Sequence, residues 1–335
     1  VTFINTSYSI PLIKKPNNYN QFEFQGNSNY NIGGYFNYNW QNFLIFSEGA
    51  TSKSGGLGMV GGFIGSLSPI VSISMVLRNY QRDFHSFYGN SFGESTRNIN
   101  ETGIYWGLKI TPSRKYFLTA YYDRFKFPWL RFRAEAPSQG YEYLARFNYR
   151  PKRSLLFYGQ YRAESKQLSV NLDESNLNRL EAGVKRSYLF NMNYDFGGGF
   201  SIKSRVQLSD YTLADQKTKG MAIAQDLNFQ ISKFKISTRF AIIDTDDFEN
   251  RQYMYEKDVL YAFSIRGISG RAIRNYILLQ YKPSKKFNLW LRYARTNFQD
   301  FQRIINTENS VIGSGLTQIN GNTRSEVKMQ VRYRF

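Results

Sequence analysis

The last nine residues constrain the fold of this chain more than any other segment. Apolar side chains occupy every second position, at Val327, Met329, Val331, Tyr333 and Phe335, and the positions between them are polar or cationic. The side chains of a β-strand alternate between two faces, whereas those of a helix repeat every 3.6 residues. The segment therefore predicts a strand with one apolar face and one polar face.

The same alternation recurs along most of the chain. It is clear at residues 104–110, 141–150, 155–162, 200–208, 234–242, 276–282 and 287–293. Less regular strands are expected at 2–10, 21–25, 32–40, 43–48, 71–80, 116–127, 180–194, 221–231 and 259–265. The glycine-rich stretch 55–65 fits either a strand or a loop. The sequence thus predicts about 16 strands, within about two, and bacterial membrane barrels have even counts.

The connections between these strands are of two kinds. Short turns are expected at 111–114, 151–154, 196–199, 231–233 and 283–286, and long polar segments at 82–100, 163–178, 244–258 and 297–325. From about residue 101 onward the two kinds roughly alternate, as they do in outer-membrane barrels with short periplasmic turns and long outer loops. A soluble β-sandwich has no reason to sort its loops by length. We therefore expect an all-β chain, a transmembrane antiparallel β-barrel in the bacterial outer membrane, with residues 1–335 as one domain.

The composition agrees with this interpretation. The mean hydropathy of −0.49 excludes membrane-spanning helices, which need about 20 apolar residues in a row, but a barrel turns only alternate residues to lipid. The 26 Tyr and 28 Phe residues suit the aromatic girdles of a barrel. The lack of Cys excludes disulfides, thiolate metal sites and a lipidated amino-terminal Cys. We see no signal peptide at Val1, so we expect a mature sequence or one that begins partway along a longer protein.

The formal net charge is +19, and the position of the cations matters. On the clear strands they occupy the parity opposite the apolar side chains, at Lys109, Arg146, Arg150, Arg162, Lys203, Arg205, Lys235, Arg239, Lys282, Arg292, Lys328, Arg332 and Arg334. A Lys or Arg that faces lipid at mid-depth costs about 2–4 kcal/mol, so we expect these residues to face a basic lumen. With about 16 strands that lumen is too wide for side chains to fill, and it is either open or plugged. Either an anion-lined channel or a structural lattice with carboxylates such as Glu142 and Glu181 would fit.

Membrane and protein partners are also expected. Tyr333 and Phe335 are predicted to act as the signal read by the barrel-insertion machinery, and outer-membrane lipid, lipopolysaccharide and other envelope subunits are the expected partners. Pro128 interrupts a strand, because it cannot donate a backbone hydrogen bond. The next segment, with Trp129, Arg131 and Arg133, predicts an interfacial anchor beside lipopolysaccharide phosphates. The alternative is a site where bases stack or a sugar phosphate binds.

Candidate catalytic and metal-binding residues are few. His85 lies in a long loop without a local hydrolase signature, so we interpret it as incidental and do not expect an enzyme. The acidic cluster 244–249 lacks the glycine and distal Glu of a calcium loop, which favours a capped turn or an ion pair with Arg251. The glycines of 55–62 are not followed by the Gly-Lys-Ser/Thr of a phosphate-binding loop. We therefore expect no cofactor and no metal.

Several segments together resemble a known family. They are residues 87–90, 103–109, 121–130, 244–247, 258–263, 312–316 and 321–328. The pattern over most of 84–335 resembles the carboxy-terminal barrel region of Bacteroidota helix-hairpin-helix, or competence-protein-like, envelope proteins. In that family a helix-hairpin-helix DNA-binding module precedes the barrel. Residues 56–58 (Gly-Leu-Gly) lack the flanking helices of that module, so its DNA-binding role does not transfer to them.

Three functions follow as alternatives. The first is a transport or scaffold subunit of a larger envelope complex, with a basic lumen that is open or plugged. The second is a conduit for DNA uptake, whose polyanion would suit a basic channel. The third, the least favoured, is a barrel hydrolase with its site in the long loops.

Overall fold

A computed structural model describes residues 1–171, 178–299, 311–312 and 318–335. In these residues the chain contains 20 strands and one short 3₁₀ turn, Asn18–Asn20. Sixteen of the strands form one antiparallel sheet, so the prediction of an all-β chain with about 16 strands is confirmed. No helix in the described part of the chain has both the length and the apolar character needed to cross a membrane.

The strands have the following bounds. Those of the large sheet are β1 (Thr2–Leu12), β2 (Gly26–Trp40), β3 (Phe43–Ser52), β4 (Leu57–Ser68), β5 (Val71–Tyr80), β6 (Glu101–Ile110), β7 (Tyr116–Phe127), β8 (Ser138–Lys152), β9 (Leu155–Asn171), β10 (Asn178–Gly197), β11 (Phe200–Leu213), β12 (Gln216–Ile231), β13 (Phe234–Thr245), β16 (Ala272–Tyr281), β17 (Phe287–Phe298) and β20 (Thr323–Tyr333). Two small hairpins lie outside it, β14 (Gln252–Glu256) with β15 (Ser264–Ile268), and β18 (Val311–Ile312) with β19 (Ile319–Asn320).

Each strand of the large sheet pairs with the one before it, so the sheet is a meander. Because neighbours are antiparallel, alternate connections lie at opposite edges. One edge carries only short turns, at 41–42, 69–70, 111–115, 153–154, 198–199, 232–233 and 282–286. The other carries the described connections 13–25, 53–56, 81–100, 128–137, 214–215 and 246–271, and β9 and β17 end at it. We call the second the loop edge, and its members are mostly long, as predicted.

The contacts of the chain group into two compact units. The first unit comprises Val1–Arg146 and Arg162–Val184, and the second comprises Phe147–Tyr161 and Lys185–Phe335. Strands β8, β9 and β10 contribute residues to both. The prediction of a single domain stays a prediction.

Two predicted strands are wrong. Residues 21–25 do not form a strand, because they follow the 3₁₀ turn in a folded connection, where the Asn20 side chain accepts a hydrogen bond from the Asn17 amide (2.8 Å) and donates one to the Lys15 carbonyl (3.0 Å). In 259–265 only the last two residues are in a strand, and that strand is β15 of a small hairpin. Val259 and Leu260 instead pack their side chains on the sheet.

Other strand and loop boundaries in the structure differ from the predicted ones. The long connection predicted at 163–178 begins later, because β9 continues to Asn171, and residues 172–177 lie outside the described residues. Most of 297–325 lies outside them as well. The uncertain glycine-rich stretch forms β4. There Gly62 allows a close approach of β5, since a Cβ atom at this position would lie 1.9 Å from the Met75 carbonyl oxygen.

In the second unit, one face of the sheet exposes apolar side chains and the other buries arginines, which is the reverse of the arrangement in a soluble protein. Phe240 and Leu291 are 49% and 43% exposed, whereas Arg274 and Arg292 are each 1% exposed. Cross-strand pairing joins residues of one face, and the exposed face continues through Ile277, the partner of Tyr293. An exposed apolar face of this kind is what the lipid-facing side of a membrane barrel requires.

Candidate functional site

The predicted cations of the second unit lie on one face of its sheet. Pairing places Arg239 between Asp226 and Tyr276, and Lys203 opposite the same Asp226. Arg292 pairs with Lys328. By the same register Arg205, Lys235 and Arg332 share this face, and Lys282 and Arg334 continue its alternation just beyond β16 and β20. We call it the polar face. That it lines a lumen remains a prediction.

Hairpin β14–β15 and the residues that follow β14 cover part of this polar face. The Glu256 carboxylate accepts hydrogen bonds from Arg274 Nε (2.6 Å) and Nη2 (2.7 Å) and from Arg292 Nη2 (2.5 Å). Burial alone would raise the pKa of Glu256, but these two guanidinium groups outweigh it and hold that pKa below its usual value. The carboxylate therefore stays ionised and fastens the hairpin to β16 and β17.

The next residues add further anchors. Asp258 Oδ2 accepts a hydrogen bond from Lys328 Nζ (2.5 Å), and its Oδ1 lies 3.8 Å from Arg292 Nε. Lys257 Nζ contacts the Asn228 side chain and lies 3.3 Å from Ser237 Oγ. Val259 and Leu260 pack against an apolar cluster on the same face, formed by Tyr276, Leu278, Trp290 and Ala294. Residues 252–260, which we call the inner segment, are thus held by ion pairs and by apolar contact.

A basic cavity of about 390 Å³ lies beside the inner segment. Its lining includes five cationic side chains and two carboxylates: Arg150, Arg153, Lys203, Arg239 and Lys257, with Asp195 and Asp226. Arg239 is committed to Asp226 (2.5 and 2.7 Å) and to the Tyr255 carbonyl (2.7 Å). Among the described residues, no carboxylate forms a salt bridge with Arg150, Arg153 or Lys203, although Lys203 lies opposite Asp226 in register. Burial and the charge of Lys235 lower the pKa of Lys257. The cavity therefore favours an anion.

The first unit has a different arrangement on its own polar face. Arg78 is buried and donates to Glu101 (2.6 Å) and to both carboxylate oxygens of Asp123 (2.8 and 3.1 Å). Arg162 contacts Glu142 and lies 2.9 Å from Glu164. This is the lattice that the sequence allowed as an alternative. Glu181 forms an ion pair with Arg179 (2.7 Å). Lys109 has the same parity as Glu101 on β6 and is exposed, and Arg146 has the same parity as Glu142 on β8 and is partly buried.

Some cations of the described residues share the apolar parity and were not singled out from the sequence, for example Arg124, Lys126 and Arg295. Pairing puts Arg124 opposite Ile104, Lys126 opposite Thr102 and Arg295 opposite Asn275. All three are exposed and lie near the ends of their strands at the loop edge. A cation near the membrane interface costs only about 0–1 kcal/mol. The prediction that cations lie on the parity opposite the apolar side chains was made only for the segments with clear alternation. These three residues lie near the strand ends, outside those segments, so the prediction did not cover them.

The segment predicted to be an interfacial anchor lies at the loop edge of the first unit. Trp129 Nε1 donates to the Asn18 carbonyl (3.1 Å), and its ring meets Phe22 edge to face with centroids 5.0 Å apart. Arg131 lies over the Phe127 ring at 3.6 Å. Trp129 and Arg131 line a cavity, whereas Arg133 is exposed and has a φ of 66°. Contact of the three with lipopolysaccharide stays a prediction.

The remaining predicted residues have the following contacts. His85 Nε2 lies 2.8 Å from the Phe22 carbonyl oxygen. In the acidic cluster, the Asp247 carboxylate accepts from Thr218 Oγ1 (2.7 Å) and from the Asn250 amide (2.9 Å), as a capped turn does. No three potential metal ligands gather within the described ranges. Tyr333 and Phe335 meet edge to face at 5.3 Å, and their role as an insertion signal stays a prediction.

No family model and no curated protein matches this chain. Among solved structures it is similar to the siderophore receptor PiuA from Acinetobacter baumannii, with a TM-score of 0.53 and 10% identity over 91% of this chain and 58% of that one. It is also similar to the siderophore receptor PirA from Pseudomonas aeruginosa (TM-score 0.48, 12% identity, 98% of this chain and 61% of that one). A third match is OmpT, an outer membrane protein of Vibrio cholerae (TM-score 0.43, 10% identity, 99% and 95%).

The likeness to PiuA concerns the fold alone. Together with the 16-stranded antiparallel meander and its exposed apolar face, it shows that the chain has the fold of an outer-membrane β-barrel. The chain is therefore a protein of the bacterial outer membrane.

Proposed function

We propose that the chain is a transport barrel that selects anions, with the inner segment narrowing a basic lumen. One observation carries the proposal: the cavity beside the inner segment has five cationic side chains and two carboxylates in its lining. Three of those cations, Arg150, Arg153 and Lys203, form no salt bridge with a carboxylate of the described residues.

In an outer-membrane barrel the apolar face contacts lipid and the polar face encloses the lumen. Sixteen strands leave a lumen that wall side chains do not fill. The inner segment fills part of it and brings Lys257 next to the free cations of the wall. Charges of one sign in a narrow cleft raise the local concentration of the opposite ion.

A second candidate function is a sealed scaffold within a larger envelope complex. The observation that favours it is the density of buried ion pairs, around Glu256 in the second unit and around Arg78 in the first. Such a lattice would hold a wall rigid without any passage. For the DNA-uptake alternative, the inner segment would have to leave the wall before a nucleic acid could pass.

Lipopolysaccharide is the partner that we propose for the loop edge. Arg124 and Lys126 support this proposal, because they are exposed on the apolar face of β7 near the end of the strand at the loop edge. Charge attraction to anionic headgroups near a membrane surface contributes about 1 kcal/mol per cation.

Recording in planar lipid bilayers tests the transport proposal. We expect the wild-type chain to conduct anions in preference to cations. The double variant Arg150→Gln/Lys203→Gln should lose most of that preference, because it removes two free cations of the cavity. Arg124→Gln is the matched control, since Arg124 lies on the opposite face. A cation-selective conductance, or a preference unchanged in the double variant, would refute the proposal. Absence of any conductance would support the scaffold.

A further inference from the structure

Three connections enclose a second cavity, in the first unit. Segments 13–25, 81–100 and 128–137 all lie at the loop edge, and a cavity of about 400 Å³ opens between them. Known small-molecule sites occupy about 300–1,000 Å³. The proposed transport function uses none of these residues.

Two guanidinium groups of this cavity lie against aromatic rings and, among the described residues, form no ion pair. Arg82 lies 4.1 Å from the Phe22 ring centroid and 5.0 Å from that of Trp129. Arg131 lies 3.6 Å from the Phe127 centroid and is half-buried. Within the part of the chain that the structure describes, neither guanidinium has a hydrogen-bonded acceptor. Both stay charged, because arginine is not deprotonated in proteins.

The other charges around the cavity are already paired. Arg97 lies 2.5 Å from Glu23, and Lys166 lies 2.6 Å from Glu94. Glu101, the further acid near Arg131, accepts hydrogen bonds from Arg78 (2.6 Å) and from the Glu94 and Ser95 amides (2.7 and 2.9 Å). Within the described ranges, the cavity therefore has two cations without an ion-pair partner and no carboxylate that is left unpaired.

The aromatic walls are fixed before any ligand arrives. The Trp129 amide donates to Asn100 Oδ1 (2.8 Å), in addition to the hydrogen bond from its indole. Tyr19 and Phe132 meet edge to face at 6.1 Å, and Phe132 is 73% exposed. Rings held in place offer a flat apolar surface at little entropic cost on binding.

We propose that this cavity binds a small organic anion with a flat aromatic body, such as an aryl phosphate, aryl sulfonate or aryl carboxylate. The anionic group of the ligand accepts hydrogen bonds from the N–H groups of Arg82 and Arg131, and the aromatic ring of the ligand packs against the aromatic side chains of the cavity. Guanidinium groups suit this role because their planar fork matches phosphate and carboxylate geometry. The volume suits an anion of about one or two rings.

Calorimetric titration of the full chain in detergent tests the proposal, with phenyl phosphate as the probe. We expect it to bind at least about tenfold more tightly than inorganic phosphate, and benzylammonium not to bind. Arg82→Gln and Arg131→Gln should each weaken phenyl phosphate by about tenfold or more. Arg131→Lys should restore little, because a lysine cannot present the planar fork. Arg114→Gln is the matched control, since Arg114 is exposed in the short turn 111–115 and does not line the cavity.

Each other result overturns the proposal. Equal affinity for inorganic phosphate would point to a phosphate headgroup site such as lipopolysaccharide. Unchanged binding in both arginine variants would place the probe elsewhere, and absence of binding to the wild type would remove the site. Retained heat-modifiable migration in gels confirms that each variant is folded. Binding here is independent of conductance, so this test and the bilayer test can fail separately.

Discussion

Glu256 and Arg274 form a two-point ion pair, with Nε–Oε1 and Nη2–Oε2 distances of 2.6 and 2.7 Å, and neither side chain is more than 2% exposed. The same carboxylate also accepts from Arg292. One acid on a hairpin thus serves as counterion for two buried cations of the large sheet. The position of the inner segment is consequently tied to the charge of a single residue.

Neutralising that residue should therefore destabilise the chain. In Glu256→Gln, Arg274 and Arg292 stay buried without their main counterion, and breaking a buried pair in this way costs about 3–5 kcal/mol. Urea unfolding in lipid vesicles measures the change. Asp244→Asn is the control, because Asp244 lies 3.3 Å from Arg271 in an exposed pair, and such pairs contribute at most about 1 kcal/mol. Equal stability of the two variants would contradict the role of Glu256.

The sequence predicts the large sheet well because its signal is local. Alternation between apolar and polar residues finds β11, β13, β17 and β20, and with them Arg239 and Arg292. The same rule misses Arg274, although it has the parity of 276–282, because the clear alternation begins only at Tyr276. Extending the predicted strand 276–282 by two residues toward the amino terminus would have included Arg274.

The inner segment could not be predicted in the same way. Residues 252–256 fall in a segment that was expected to be a long polar connection, so β14 was not predicted. Even a clear period of 2 identifies a strand without identifying its partner. Nothing local shows that Glu256 and Asp258 return to β16, β17 and β20, because those contacts span long stretches of sequence. For this reason 259–265 was wrongly predicted as a strand of the large sheet.

Removing the charge of Asp258 should make transport more anion-selective. Asp258 neutralises Lys328 (2.5 Å), so Asp258→Asn removes a carboxylate and frees a cation on the polar face. The reversal potential in a salt gradient should move toward that of the anion. Asp244→Asn is the control, because Asp244 pairs with Met221 in register on the opposite face and contacts the exposed Arg271. A shift toward cations in Asp258→Asn would contradict the proposed lumen.

Acid should destabilise the loop edge of the first unit, because protonation of Glu23 removes its ion pair with Arg97. The hydrogen bond from Arg97 lowers the pKa of Glu23 to about 2 from 4.5, against the opposing effect of burial. Because the folded-state pKa is depressed, the stabilisation is complete above about pH 4.5 and is lost as the pH falls toward about 2. Carbon NMR of the labelled carboxyl gives the midpoint. Arg97→Gln should raise it, and Arg133→Gln should leave it unchanged. A wild-type midpoint near 4.5 would rule out this ion pair in solution.

Strands β4 and β5 approach each other so closely at Gly62 that the position has no room for a side chain. A Cβ there would lie 1.9 Å from the Met75 carbonyl oxygen, and that backbone atom cannot move without breaking the β4–β5 pairing. Gly62→Ala should therefore destabilise the chain by about 1–3 kcal/mol or more, the range for overpacking. Gly34→Ala is the matched control, because a Cβ at Gly34 meets no atom within 4 Å. Refolding yield into vesicles, read by heat-modifiable migration, should fall only for Gly62→Ala. Equal yields for both variants would mean that β4 and β5 do not approach as closely as the structure shows.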